Sequence, residues 1–198
     1  MAEDLLKLPN NGNALEIGYK YFDDLVSRSF FQRSKSNRTW GNCFVMHDLV
    51  HDLALYLGGE FYFRSEELGK ETKIGMKTRH LSVTKFSDPI SDIDVFNKLQ
   101  SLRTFLAIDF KDSRFNNEKA PGIVMSKLKC LRVLSFCNFK TLDVLPDSIE
   151  EMPRGMGMLS HLQHLDFFIV GKHKENGIKE LGTLSNLHGS LSIRNLEN

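Results

Sequence analysis

The residues with the clearest chemical potential lie where a short apolar run, Phe44-Val45-Met46, leads into His47 and Asp48. The run predicts a strand, the apolar residues after Asp48 recur at the spacing of an amphipathic helix, and Gly58-Gly59 predicts the end of that helix. The first backbone N–H groups of a helix are unpaired and lie at the positive end of its dipole, so a helix start attracts anions. An imidazole at that position adds a further hydrogen-bond donor. The junction therefore predicts an anion site at His47, with Met46 and Asp48 beside it.

The same helix start permits a metal-binding interpretation. His47 and His51 stand four residues apart, which is the ligand spacing of a helical zinc hydrolase. Asp48, however, occupies the position where such an enzyme carries the longer Glu that acts as general base. A third ligand would have to come from another segment. A simpler interpretation is that both histidines lie in solvent on the polar face of the helix.

The composition is that of an ordinary globular chain. The 198 residues are 41% hydrophobic and 26% charged, with a formal net charge of +1. This balance does not favour nucleic acid as a partner, and no apolar run approaches the length of a membrane span. Met1-Ala2-Glu3-Asp4 lacks the basic start of a secretory signal, and the three cysteines form no CxxC pair. We therefore expect a cytoplasmic protein with reduced thiols.

The elements ahead of His47 predict part of a winged helix. Apolar residues at positions 15, 19, 22 and 25 recur at helical spacing, so a helix should end near Ser27. Short strands are predicted at 30–33 and 43–46, around a polar tip at 34–42. Helix, hairpin and helix in this order are typical of a winged helix. The pattern is incomplete, because the fold needs further helices before the hairpin.

A winged helix also suggests DNA binding as an alternative function. The candidate phosphate contacts are Arg28, Arg33, Lys35 and Arg38. Acidic residues on the following helix and a net charge near zero argue against this alternative.

From Leu81 onward the sequence is repetitive. Leucines and a phenylalanine follow one template twice, as Leu128-x-x-Leu131-x-x-Leu134-x-Phe136 and as Leu159-x-x-Leu162-x-x-Leu165-x-Phe167. Two looser copies are Leu99-x-x-Leu102-x-x-x-Leu106-x-Ile108 and Leu184-x-x-Leu187-x-x-x-Leu191-x-Ile193, each with one residue inserted before the strand. Predicted strand starts fall 25 to 31 residues apart. Such spacing predicts a leucine-rich-repeat solenoid with one parallel strand per coil.

Side chains that alternate with the inward leucines should face solvent on the strands of this solenoid and line any partner surface. These residues are Ser82, Thr84, Ala107, Asp109, Ser135, Asp166, Ser192 and Arg194. Between Ile149 and Glu150, two convex-side segments follow each other without an intervening strand. We infer that one or more repeats are missing at that point.

Several motifs together resemble the coiled-coil class of plant nucleotide-binding leucine-rich-repeat disease resistance proteins. The motifs are Met1 to Leu6, Tyr21 to Gln32, Met46-His47-Asp48 with its helix, Lys77 to Ser82, and Leu131-Arg132-Val133-Leu134. The resemblance implies an intracellular immune receptor in which ADP bound at a P-loop keeps the protein inactive. It also implies that His47 contacts the β-phosphate, flanked by Met46 and Asp48.

The resemblance assigns no cofactor to this chain alone, because GxxxxGK[ST] is absent from the sequence and ADP or ATP belongs to an intact family member. We therefore expect a mixed α/β fold with a truncated winged helix at 1–60, a linker at 61–77 and a leucine-rich-repeat domain at 78–198. The expected function is non-catalytic protein interaction in pathogen recognition and defence. Partners would be a pathogen effector, a guarded host protein or the receptor's own nucleotide-binding domain, and neither nucleic acid nor a membrane span is expected.

Overall fold

The structure is a computed structural model that describes residues 14–34, 44–68, 73–86, 93–108, 127–137, 152, 154–173 and 177–197. The chain forms two compact units, which divide between Gly59 and Glu60. No helix in these described ranges is both long and apolar enough to cross a membrane.

The first unit has the predicted order of helix, hairpin and helix. Its elements are α1 (Ala14–Ser27), β1 (Phe31–Arg33), β2 (Phe44–Met46) and α2 (Asp48–Gly58). Strands β1 and β2 pair antiparallel, with Phe31 opposite Met46. Phe22 of α1 packs against Phe31 at 5.3 Å between ring centroids and edge-on against Phe44 at 4.8 Å. Since aromatic pairs favour such tilted and edge-on geometries, these three rings form the contact between helix and hairpin.

Helix α2 ends where the sequence predicts. Gly59 caps it with a φ of 45°, a left-handed conformation that a glycine adopts without a Cβ clash. The predicted apolar stripe is present but faces solvent: Leu49 is 74% exposed and Leu57 is 70% exposed. The leucines that predict this helix from the sequence are therefore exposed in the structure and do not pack the helix against a core.

The second unit is built on a parallel sheet of five strands in sequence order. These strands are β3 (Tyr62–Leu68), β4 (His80–Phe86), β5 (Thr104–Ile108), β6 (Val133–Cys137) and β7 (His164–Leu165). Helix α3 (Ile93–Lys98) lies between β4 and β5 in the chain. A second, two-stranded parallel sheet joins β8 (Phe167–Ile169) to β9 (Ser192–Arg194). A mixed α/β fold with parallel strands is therefore confirmed.

The leucine template forms the same turn in each coil. The N–H of Leu131 donates to the carbonyl of Leu128 at 2.9 Å, and Leu162 donates to Leu159 at 2.8 Å. All four leucines have no exposed surface. The turn places two residues in solvent and both leucines in the core. The three-residue spacing of the leucines therefore buries both of them in each coil.

A backbone hydrogen-bond ladder joins the coils one residue ahead of the strands. Each N–H donates to the carbonyl of its counterpart in the preceding coil, at 2.7 to 3.0 Å. The ladder runs through Phe61, Arg79, Arg103, Arg132, Gln163 and His188. It continues past β7, so the coil that carries β9 is tied to the others although its strand belongs to the second sheet.

The sheet begins earlier than the sequence predicts. Strand β3 occupies 62–68, inside the segment predicted as a linker, and pairs with β4 along its length. Residues of the Lys77 motif meet residues just before and within β3, one after another. Lys77 Nζ lies 2.9 Å from Glu60 Oε2, the Arg79 guanidinium lies 4.6 Å from the Phe61 ring centroid, and the His80 and Tyr62 rings stack at 4.5 Å.

The phase predicted for β5 is wrong by one residue. Phe105 and Ala107 are buried, and they pair with Leu134 and Phe136 of β6. Leu106 is half-buried on the opposite face. The coil therefore follows the strict template without an insertion, because register with the neighbouring strand determines which side chains enter the core.

The proposed site of missing repeats near 149–150 lies outside the described residues. The coils on either side of it are adjacent: Val133 pairs with His164 and Leu134 pairs with Leu165. The core of these neighbouring coils is continuous through Leu131, Leu134, Leu162 and Leu165.

Candidate functional site

His47 lies at the boundary between β2 and α2 and is the N-cap of the helix. Its backbone has φ −62° and ψ 140°, which is extended rather than helical. Its N–H donates to the carbonyl of Phe30 at 3.3 Å, and its carbonyl accepts from His51 at 2.8 Å as the first helical bond. The hairpin and the helix thus fix this residue from both sides.

The imidazole of His47 caps the helix. Nδ1 accepts a hydrogen bond from the backbone N–H of Leu49 at 3.3 Å. The sequence analysis predicts a ring that adds a donor at the helix start, whereas here one ring nitrogen acts as an acceptor. With Nδ1 accepting, the neutral ring carries its proton on Nε2, so the donor available to an anion is Nε2–H.

Met46 and Asp48 flank this cap in different environments. Met46 is half-buried on β2, while Asp48 is exposed as the first residue of α2. The Asp48 carboxylate suits the positive end of the helix dipole, but its charge also opposes an anion at the same end. Of the three motif residues, His47 alone offers a hydrogen-bond donor on its side chain.

His51 lies one turn further along α2, where it is exposed and contacts the carboxylate of its neighbour Asp52 at 3.8 Å. Within the part of the chain that the structure describes, no group of three His, Cys, Asp or Glu side chains has the arrangement of a metal site.

Two of the four predicted DNA contacts have intramolecular neighbours. Arg28 Nε lies 3.0 Å from Asp24 Oδ2 one helical turn earlier, and the Arg33 guanidinium lies 6.0 Å from the Phe44 ring centroid. Lys35 and Arg38 lie outside the described residues.

On the parallel sheet, the outward positions of neighbouring strands form rows. Ser82, Leu106 and Ser135 are in register across β4, β5 and β6. Ser82 is half-buried and lies between buried Leu81 and Val83, on the opposite face of the strand. Thr84 is also half-buried, and its hydroxyl donates to the carbonyl of Glu66 in β3 at 2.7 Å. These hydroxyl groups and the Leu106 side chain form part of one mixed face of the sheet.

Four other residues predicted for this surface lie in the core, outside the described residues or in the second sheet. Ala107 has no exposed surface and belongs to the core, so its predicted outward position is wrong. Asp109 lies outside the described residues. Ser192 and Arg194 are exposed, but they pair with Phe167 and Ile169 in the second sheet and do not extend the row of Ser82.

Ser135 and Asp166 meet in a cluster that also contains His164, which the sequence analysis did not select. Asp166 Oδ1 lies 2.8 Å from His164 Nε2, and Asp166 Oδ2 accepts from the Ser135 hydroxyl. Ser135 is only 5% exposed, so the prediction that it faces solvent is wrong, whereas His164 and Asp166 are half-buried. The signal for His164 was its position two residues before Asp166, because strand residues at i and i+2 share a face.

Asp166 also affects the protonation of its neighbour. The hydrogen bond to the carboxylate raises the pKa of His164 above its ordinary value, while partial burial acts in the opposite direction. The cluster thus holds a titratable imidazole against a carboxylate on the outward face of the sheet.

Comparison with known proteins shows what this chain is similar to. Residues 1–54 match the family model of the disease resistance protein winged helix domain, and similarity to plant disease resistance proteins extends over the whole chain. The chain therefore resembles a fragment of a plant disease resistance protein.

Three relatives illustrate the similarity. A putative disease resistance protein of Arabidopsis thaliana, At3g14460, is 31% identical across 100% of the chain and 18% of its own length. The putative disease resistance RPP13-like protein 1 of the same plant is 28% identical across 84% of the chain and 15% of its own length. The putative disease resistance protein RGA4 of Solanum bulbocastanum is 29% identical across 100% of the chain and 23% of its own length. The chain thus spans between about a seventh and a quarter of the relatives' lengths.

Proposed function

We propose that this chain is a non-catalytic protein-interaction part of a cytoplasmic plant immune receptor, and that an ADP/ATP switch controls the intact receptor. Similarity to plant disease resistance proteins supports a role in plant defence. The observation that carries the interaction role is the outward face of the parallel sheet, where half-buried Ser82 lies between buried Leu81 and Val83. Such a face offers a contact surface without disturbing the core beneath it.

The parallel coils support assignment of the second unit as a leucine-rich-repeat solenoid. One strand per coil, a repeated turn between paired leucines and a continuous backbone ladder are the expected features of that architecture. The alignment with the At3g14460 protein spans 268 positions for the 198 residues of this chain, so at least 70 positions have no counterpart here. That difference supports the proposal that this solenoid has fewer coils than the relative.

His47 is proposed to contact a nucleotide phosphate through Nε2–H in the intact receptor. The exposed ring and its use of Nδ1 as helix cap support this role, because the cap fixes the ring and leaves the donor outside. One imidazole and one helix end supply about 1 to 2 kcal/mol, against about 8 kcal/mol for micromolar affinity. The chain by itself should therefore bind ADP only weakly, and the remaining phosphate contacts belong to a P-loop.

The proposed partners are a pathogen effector, a guarded host protein or the receptor's own nucleotide-binding domain. The third can be tested directly, because the probe is defined: the P-loop-bearing segment of a coiled-coil-class family member, loaded with ADP. The purified chain should retain this probe in a pull-down, and Ser82→Arg on the sheet face should weaken retention at least tenfold.

Ser101→Arg is the matched control, since it makes the same change at an exposed turn residue ahead of β5. His47→Ala should lower ADP retention in the complex about 5- to 30-fold, the equivalent of one lost phosphate contact. Equal retention of the probe by the Ser82 and Ser101 variants would refute the assignment of the sheet face. Unchanged ADP retention in His47→Ala would refute the phosphate contact.

A further inference from the structure

The sheet changes its pairing partner at Asp166. Residues His164 and Leu165 pair with β6, while Phe167 to Ile169 pair with β9 instead. Strand β7 contributes only two residues to its pairing with β6, whereas β5 and β6 pair along five. Few backbone hydrogen bonds therefore join the strands of these two coils. Side-chain hydrogen bonds contribute a larger share of the contact there than elsewhere in the sheet.

The Asp166 carboxylate bridges the two coils at this point. One oxygen lies 2.8 Å from His164 Nε2 on the same strand, and the other accepts from the Ser135 hydroxyl on β6. Because Ser135 is almost fully buried, its hydroxyl holds the carboxylate in one orientation, and the carboxylate in turn orients the imidazole.

We propose that Ser135, Asp166 and His164 form a pH-sensitive clasp that fastens the coil of β6 to the coil of β7 and β8. With His164 protonated, the clasp is a charge-assisted pair and carries no net charge. With His164 neutral, the hydrogen bond is weaker and the carboxylate leaves a net negative charge at this end of the sheet face. Protonated His164 holds the Asp166 carboxylate more firmly in the orientation in which it accepts from Ser135 across the joint, and it also neutralises the negative charge of the surface.

The neighbouring elements bring further charged or titratable groups to this position. Arg132 precedes β6 and its carbonyl accepts from the backbone N–H of His164, while His188 lies in the next coil and Arg194 lies on β9. Gly189 of that coil faces the second ring nitrogen: a Cβ placed there would lie 3.9 Å from His164 Nδ1. The imidazole therefore has room to gain a proton at Nδ1 while Nε2 stays bonded to Asp166.

The direction of the effect follows from the raised pKa of His164. A group whose pKa is higher in the folded state stabilises that state when it is protonated. The contribution is fully present below the ordinary imidazole value of about 6.5, and it is lost as the pH rises through the higher value of the folded protein. The clasp should therefore be tighter in mildly acidic solution.

The test is amide hydrogen exchange across 133–137 and 164–169 of the full chain, from pH 6 to pH 8.5, corrected for the intrinsic exchange rate. Protection should fall about three- to tenfold as the pH rises, in step with the titration of the His164 ring followed by NMR. His164→Gln and Asp166→Asn should remove this pH dependence. His161→Gln, at an exposed turn histidine three residues ahead of β7, should retain it.

Each outcome decides the proposal. Protection that is flat with pH in the unmodified chain would overturn it without reliance on any variant. A pH dependence that persists in a folded His164→Gln chain would assign the effect to another group and would equally overturn it. Loss of the dependence in His164→Gln together with its retention in His161→Gln supports the clasp.

Discussion

Gly157→Ala tests how closely the coils approach each other on the side away from the strands. Gly157 lies in the 3₁₀ helix Met156–Met158, which packs against the 3₁₀ helix Ile178–Thr183 of the next coil. Its N–H donates to Glu180 Oε2 at 2.9 Å, and its carbonyl accepts from Thr183 Oγ1 at 3.0 Å. A Cβ at this position would overlap Thr183 Oγ1 and lie 3.2 Å from the Glu180 carbonyl oxygen.

The expected loss of stability follows from the hydrogen bonding that the Thr183 side chain loses. Its single hydroxyl proton is shared between the Gly157 carbonyl and, at 2.7 Å, the Glu180 carbonyl, so a rotation that relieves the overlap breaks this bifurcated bond. The lost bond costs about 1 kcal/mol, and the tight approach to the Glu180 backbone adds about 1 to 2 kcal/mol of strain. We expect Gly157→Ala to destabilise the second unit by about 2 to 3 kcal/mol.

Amide exchange of 156–162, together with urea unfolding, measures this loss in the unit concerned. Gly182→Ala is the matched control, because a Cβ there meets nothing within 4 Å. It should change stability by less than about 0.5 kcal/mol. In a Thr183→Ala background, the cost of Gly157→Ala should shrink by about 1 kcal/mol or more, since the overlapping oxygen is gone.

Equal stability of Gly157→Ala and Gly182→Ala would refute the close approach between the two coils. A full cost of Gly157→Ala in the Thr183→Ala background would locate the clash on another atom. Either result would contradict the packing described for this side of the unit.

The remaining predictions concern the strands, the helix cap and a surface ion pair. Phe105→Ala should lower the free energy of unfolding in urea by about 3 to 5 kcal/mol, and Leu106→Ala by less than about half of that. A larger loss for Leu106→Ala would mean that Leu106, and not Phe105, faces the core. His47→Ala should destabilise α2 by about 0.5 to 1 kcal/mol, visible as faster amide exchange at the helix start, and unchanged exchange would contradict the cap. Lys77→Ala should leave the unfolding midpoint unchanged at 0.15 M salt, because its pair with Glu60 is exposed and screened, and a clear loss would show that this pair fastens the first coil.

Strong periodicity made most of the first unit and the later coils predictable. The end of α1 at Ser27, the hairpin and the glycine stop after α2 all follow from local residue types. The strict leucine template likewise predicted β6 and β7, because paired leucines at a spacing of three can be buried only by the repeated turn.

The errors arose where tertiary pairing overrides local pattern. In β5, Leu106 and Ile108 resemble the template more closely than Phe105 and Ala107, yet pairing with β6 places the second pair in the core. Strand β3 carries Arg64 and Glu66 at outward positions, so its sequence reads as a polar linker although it pairs with β4.

The candidate sites were likewise predictable from the sequence only in part. Residue type and position identified His47 as the side chain at the helix start. They did not reveal that Nδ1 accepts from Leu49, which depends on the ring orientation at the cap. His164 was not selected from the sequence because its position in the leucine template accepts any residue. Its role depends on its contact with Asp166, which in turn accepts from Ser135.

The hydrogen bonds that run from coil to coil ahead of the strands have a consequence for how such a chain can evolve. Successive members of that series are separated by 18, 24, 29, 31 and 25 residues, and yet the same N–H and carbonyl meet each time. The contact involves only backbone atoms, so it recurs although the loop between successive contacts differs in length. Whole coils can therefore be gained or lost by recombination while the flanking ones rejoin through identical backbone chemistry.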